Sequence, residues 1–371
     1  MYFILHHIRR YDWLLTGAVF LLMILGLITL FSLSGVSPFP FLLRQLIWAG
    51  IGVVFLILAS MVDFRFFRTQ SFAVLIFYIL VVFLLLAVLL GNFAVRGVAA
   101  WLKFGNVFLQ PVELAKLSLI VFLAKFFSKR HIEIYRMKHL AVSGLYFAIP
   151  ILLVLAQPDL GSAIVLAGIW IAIIVFSGMK LRHFLALMLI VSLLAGGAWS
   201  FTLKPYQKAR ITTFLNPYSD PQGAGYQMIQ SMIAVGSGQL WGKGLGYGSQ
   251  THLHFLPAAE TDFIFAAFAE EWGFVGILVM LSLIFLILGR IIRIGITASD
   301  NFSRLYTIGF AALIFIQSFI HIGMNMGVMP ITGLPLPFVS YGGSSLVTLL
   351  IGVGILQNIK INSRPVREVG E

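Results

Sequence analysis

The chain contains no cysteine in its 371 residues, so a disulfide framework and a thiolate metal site are both excluded. It is also poor in charge, with Asp, Glu, Lys and Arg making up only 10% of it. Acids are the scarcer sign, 13 against 25 basic residues. A water-soluble domain of this length needs a more polar surface than that. The period-two alternation of a membrane β-barrel is missing, because the apolar runs are continuous. The glycine series Gly236, Gly238, Gly242, Gly244, Gly246 and Gly248 lacks the G-x-x-x-x-G-K-[ST] spacing of a nucleotide P-loop. A cleavable signal peptide is not expected, since the run 13–33 is too long for an h-region and no cleavage site stands out.

What is present is apolar. Hydrophobic residues form 60% of the chain, and mean hydropathy is +1.00. Repeated apolar runs of about 20 residues predict an all-α polytopic membrane protein. We place about ten transmembrane helices at 13–33, 43–62, 72–91, 108–127, 141–156, 161–178, 183–202, 262–290, 303–327 and 342–360. The fifth and sixth are short, and are read as tilted against neighbours or partly interfacial. The net charge of +12 reads as a topology signal rather than a nucleic-acid surface. With the N-terminus inside, 17 Lys and Arg face the cytoplasm and seven face outward. Both termini are therefore expected to be cytoplasmic, in a single transmembrane domain covering 1–371.

One extracytoplasmic loop, 203–261 between helices 7 and 8, is far longer than the others. Loops of that length usually carry function. It holds the turn cluster NPYSDPQGAGYQ, then a stretch, 226–235, that reads as an amphipathic helix suited to the membrane surface. A second outer connection, 329–345, contains Pro330, Pro335 and Pro337, which forbid a regular helix. Irregular backbone at membrane depth needs protein or a water-filled cavity beside it.

The stretch 249–273 carries the acids. Thr261 or Asp262 is expected to cap the helix that follows. Asp262 is either that interfacial cap or a general base facing an outer cavity. Glu270 and Glu271 lie about 12 Å further along the helix, rotated about 80° and 180° from Asp262. They cannot both share its cavity, so at least one is expected to pair with another helix. Glu113 and Lys116 stand i, i+3 on one helix face, as a mutual ion pair or as the lining for an anionic headgroup. Asp159, in QPDLG, is a turn cap or a cavity acid. Lys204, Lys208 and Arg210 cluster on the outer side, where the positive-inside bias does not explain them. They edge a solvated loop or meet a phosphate-bearing lipid. His252 and His254 are too few for a zinc site. Gln317, His321 and Asn325 are expected to hydrogen-bond between helices.

Four motifs occur in order: QPVELAKL, QPDLG, the long run RITTFLNPYSDPQGAGYQMIQSMIAVGSGQLWGKGLGYGSQ continuing to FLPAAETDFIFAAFAEEWG, and MNMGVMPITGLPLPFVSYGGSS. Together they resemble the SEDS family (shape, elongation, division and sporulation) over nearly all spans, most closely its rod-shape-determining branch. The resemblance implies a peptidoglycan glycosyltransferase that polymerises lipid II in the bacterial cytoplasmic membrane. The 4-hydroxyl of one lipid-linked disaccharide attacks the anomeric carbon of another, undecaprenyl pyrophosphate leaves, and configuration inverts. By motif, Asp262 matches the family's essential acid, proposed as the base. Glu113, Lys116 and Asp159 match polar cavity positions, and Arg210 matches an arginine suited to the pyrophosphate. A class B penicillin-binding protein is the implied partner. A divalent cation, Mg or Mn, can assist such cations, but the sequence shows no site for one. This chain departs from the family at Ala258, usually glutamate, and Glu260, usually histidine; the added carboxylate is expected to raise the pKa of Asp262. Lipid II transport, a division-type role within the same family, and a scaffold for other wall enzymes are the competing readings.

Overall fold

The computed structural model describes residues 7–34, 40–63, 65–91, 101–104, 107–129, 137–201, 205–220 and 223–363. Arg96, Arg130, Arg136, Lys204, Arg364 and Arg367, which entered the charge argument, lie outside them.

Each of the ten expected stretches carries a helix. In chain order these are α1 (Trp13–Ser34), α2 (Pro40–Met61), α3 (Ser71–Gly91), α4 (Pro111–Ser128), α5 (Met137–Ala156), α6 (Leu160–Phe176) and α7 (Leu181–Phe201). The large loop holds α8 (Pro205–Leu215) and α9 (Ala224–Ser237), and the chain ends with α10 (Ile264–Thr297), α11 (Asn301–Asn325) and α12 (Gly343–Asn362). Among the described residues, seven helices are long and apolar enough to cross a membrane by length and composition. α4 is the instructive case outside that set. It carries Glu113, Lys116 and Lys125 within 18 residues, and all three are buried. Its charges are enclosed by other helices rather than offered to lipid.

α10 runs on to Thr297, seven residues past its expected end, and α5 starts four residues early, at Met137; two other boundaries differ in kind. Residues 108–110 do not belong to a span. Leu102–Phe104 pairs antiparallel with Val107–Leu109 as a short hairpin, and Pro111 then opens α4. Pro at the first helical position loses no hydrogen bond and has a suitable φ. The other difference is at the start of α10. Its N-cap is Phe263, with no side-chain cap bond, so neither Thr261 nor Asp262 caps it.

α11 is central, packing on α10, α4 and α6, while α12 lies along α2 and α10 along α1. The expected amphipathic helix is present as α9, packed on α10 with Met228, Ser231 and Ala234 buried.

α10 is interrupted at Gly273, where φ is 65° and ψ is −165°. That region is essentially reserved for glycine. The bonds lost from the helical ladder are replaced by the loop after α9. Phe274 and Val275 donate to Gln239 O and Leu240 O at 2.8 and 3.1 Å. Lys243 and Gly244 donate to Glu270 O and Glu271 O at 2.9 and 3.0 Å. The backbone accounting thus closes across two segments, as buried polar groups require.

Candidate active site

Asp262 sits half-buried in the turn before α10. Ala258, at φ 53°, folds that turn so that its carbonyl accepts from the amides of Thr261, Asp262 and Phe263 at 3.1, 3.1 and 3.3 Å. The helix is capped from outside its own sequence. Asn325, the last residue of α11 and fully buried, accepts from Ala266 N–H at 3.1 Å through Oδ1. Its Nδ2 donates to Asp262 O at 3.0 Å and to His321 O at 2.8 Å.

The irregular connection 329–342 runs beside this turn. Tyr341 N–H donates to Glu260 O at 3.0 Å, and Ser340 Oγ donates to Thr261 O at 2.9 Å. A Cβ placed on Gly333 would lie 3.7 Å from Asp262 Oδ2, so the carboxylate faces this segment. α11 holds the segment from behind. His321 Nδ1 donates to Leu334 O at 2.6 Å, and Gln317 Nε2 donates to Pro335 O at 2.9 Å. A carbonyl only accepts, so the proton is on Nδ1. Gln317 and Asn325 bridge helix to helix, as expected from sequence, through Lys116 of α4 and Ala266 of α10; all three residues also bind carbonyls of non-helical backbone, those of Pro335, Leu334 and Asp262. Their spacing of four puts them on one face of α11.

Lys116 Nζ lies 2.7 Å from Glu113 Oε1, with side chains 0% and 3% exposed. It also donates to Gln317 Oε1 at 3.4 Å. Asp159 accepts from Ser162 N–H at 2.9 Å and caps α6. Burial pushes its carboxyl above the usual range; the Ser162 bonds and the Lys116 charge oppose this, and Glu113 adds to it. Gly161, two residues on, is tight against Thr332 and Leu334. The segment 332–335 is thus approached by Asp262 from α10, by the Lys116–Gln317 link from α4 and α11, and by the Asp159 turn from α6. An ion pair, a raised carboxyl and a half-buried acid thus lie around one irregular segment.

Arg210 is on α8, but its side chain lies outside what is described. Glu270 and Glu271 belong to a different construction. Glu270 Oε1 accepts from Lys243 Nζ at 2.7 Å, Gln250 N–H at 3.0 Å and Ser249 Oγ at 3.3 Å. Glu271 Oε1 accepts from Ser32 Oγ and from Gly246 N–H at 3.1 Å, with His252 Nε2 at 3.3 Å. Glu271 reaches another helix, α1, through Ser32, as expected from the rotation of the two acids; both also tie the loop 243–252 to α10. Among the described residues no group of three or more His, Asp or Glu is arranged to hold a metal ion. The sequence reading missed the clamping role of Asn325 and the contribution of Gln45, whose side chain brackets Ser340 O and Gly342 N–H at 3.2 Å each.

Helices enclosing charged groups, beside an outer-loop acid and a proline-rich connection, define a polytopic membrane protein with a buried polar site. The chain belongs to the FtsW/RodA/SpoVE family of cell cycle proteins, whose model matches residues 12–365. It is 40% identical to stage V sporulation protein E of Bacillus subtilis over 364 residues, covering 95% of this chain and 98% of the relative. It is also 40% identical to the peptidoglycan glycosyltransferase MrdB of Escherichia coli over 282 residues, 76% of each chain. Equal identities do not single out the rod-shape branch. Among solved structures, a chain from a peptidoglycan synthase complex superposes with a TM-score of 0.79 at 34% identity, covering 94% of this chain and 97% of that one. RodA of Thermus thermophilus gives 0.71 at 30% identity, covering 95% and 97%.

Proposed function

We propose that this chain, a peptidoglycan glycosyltransferase, polymerises lipid II at the outer face of the bacterial cytoplasmic membrane during cell elongation. In this reading it crosses the membrane ten times, with both termini cytoplasmic and loop 203–261 outside. Asp262 takes the proton of the acceptor 4-hydroxyl as that oxygen bonds to the anomeric carbon of the donor. The bond from that carbon to the pyrophosphate oxygen breaks, and undecaprenyl pyrophosphate leaves with the electron pair. Inversion follows from attack opposite the leaving group. Lys116 meets the negative charge, with Glu113 and Asp159 setting the polarity around it. Arg210 enters as a pyrophosphate contact on the family motif alone. A class B penicillin-binding protein completes the working complex; the similarity to a chain of a peptidoglycan synthase complex supports that partner.

The observation that carries the reading is the approach of Asp262 and of the Lys116–Gln317 link to the same segment, 332–335. The test is glycan-chain detection with the purified full chain, its penicillin-binding partner and lipid II. Asp262→Asn is expected to lose about 100-fold or more of the polymerisation rate, while folding and partner binding persist. Polymerisation at the parental rate would overturn the assignment of the base. Movement of lipid II across vesicles without any polymer would favour transport instead.

A further inference from the structure

We propose that Asn325 is the positioning residue for Asp262, acting through the backbone and not by touching substrate. This rests on the reading of Asp262 as the base.

The argument starts from what the turn lacks. α10 begins at Ile264 with no side-chain cap of its own. Its first N–H groups need partners in a buried setting, since helix starts leave four donors unmatched. Asn325 supplies one through Oδ1, bound to Ala266 N–H at 3.1 Å. The same amide holds Asp262 O through Nδ2 at 3.0 Å. One planar group therefore holds the carbonyl and the amide at the two ends of the turn by which the chain enters the helix. The Asp262 side chain leaves the backbone at the Cα next to the held carbonyl.

The clamp is itself held. The second Nδ2 hydrogen goes to His321 O at 2.8 Å, one turn back on α11. Ser231 Oγ of α9 donates to Asn325 O at 2.9 Å. With both amide hydrogens used and the side chain fully enclosed, no rotation or flip keeps the same bonds. His321, one turn away, grips Leu334 O of the segment that Asp262 faces. α11 thus sets the acid and the wall opposite it in one register.

Only an amide offers an acceptor and a donor at this reach. A carboxylate would keep the bond to Ala266 N–H but oppose the Asp262 carbonyl. An alkyl group would lose both.

The experiment compares Asn325→Asp and Asn325→Leu with the parent chain and with Asp262→Asn, each as the full chain with the penicillin-binding partner. Thermal unfolding and lipid II polymerisation at several substrate concentrations are measured. Both Asn325 variants are expected to lose about 10- to 100-fold in kcat, the loss typical of a displaced reacting group. KM for lipid II stays within about two-fold, because uniform substrate binding is not touched. Asn325→Asp keeps the cap but buries a carboxylate against two carbonyls, so both variants are expected to unfold below the parental temperature. The kcat is therefore read per folded protein at a temperature below both transitions, and Asn325→Asp is expected to lose it there. Parental kcat in that variant, with Asp262→Asn inactive, overturns the proposal while leaving the base in place. Loss of kcat only in proportion to loss of folded protein also overturns it. An active Asp262→Asn instead removes the base assignment on which the proposal stands.

Discussion

The buried pair Lys116–Glu113 permits a test that separates architecture from chemistry. Both side chains are enclosed, at 0% and 3% exposure, and their charged atoms are 2.7 Å apart. Removing one partner leaves the other charge buried without its counter-ion, which costs about 3–5 kcal/mol. Replacing both by apolar groups of like volume is often close to neutral, because the desolvation of the pair offsets its attraction. Lys116→Met and Glu113→Met should therefore each lower the thermal stability of the purified chain, and the double variant should recover most of it. The coupling read from the cycle should be about 3 kcal/mol. Polymerisation of lipid II is then measured on the same four proteins. If Lys116 meets the pyrophosphate, the double variant regains stability but not rate. A double variant that regains both assigns the pair to architecture alone. Additive stability losses would refute the physical premise, since they mean that each charge is compensated separately.

Two further expectations follow from local geometry. Gly273→Ala forces a side chain into a backbone region that costs about 1–3 kcal/mol, and its Cβ would overlap the Gly242 amide. Reduced stability and faster proteolysis within 238–252 are expected; parental behaviour in both assays would show that the kink does not need glycine. Asp12, at the start of α1, is held below the usual carboxylate range: burial works against this, but bonds from Arg290 and from Leu15 N–H outweigh it. A depressed folded pKa stabilises above the unfolded value of about 3.9 and stops doing so as pH falls through the folded one. The stability gap between parent and Asp12→Asn should be full at neutral pH and shrink below about pH 4; a gap that does not change with pH would count against it.

Helix positions were legible because apolar runs are the strongest signal a membrane chain carries. The end of the second strand, Phe108–Leu109, falls inside the expected span because it is apolar and runs on into α4, although Gly105–Asn106 in the sequence is a turn signal. The start of α10 was misread for a physical reason. Asp262 and Thr261 are good caps by type, but the left-handed Ala258 spends the turn's carbonyl on their amides, and the cap arrives from Asn325, 59 residues beyond Ala266. Asn325, His321 and Gln317 are legible as hydrogen-bonding residues between helices, but the carbonyls of irregular backbone that they also hold are not. The pairing of Glu270 and Glu271 followed from helix rotation, whereas the loop that meets them did not. Whether Glu260 alters the titration of Asp262 is a question for the pH–rate profile of Glu260→His.

The interruption at Gly273 also has a mechanical side. Four backbone bonds that a continuous helix would keep to itself are shared with residues 239–244 of the outer loop. Glu270 and Glu271 add anchors from Lys243 to His252. Loop and helix therefore behave as a handle on a shaft. A molecule that grips the loop also holds the helix, and a push on one is a torque on the other. Asp262 is about three helical turns from the joint, so the acid sits on the short arm of that lever.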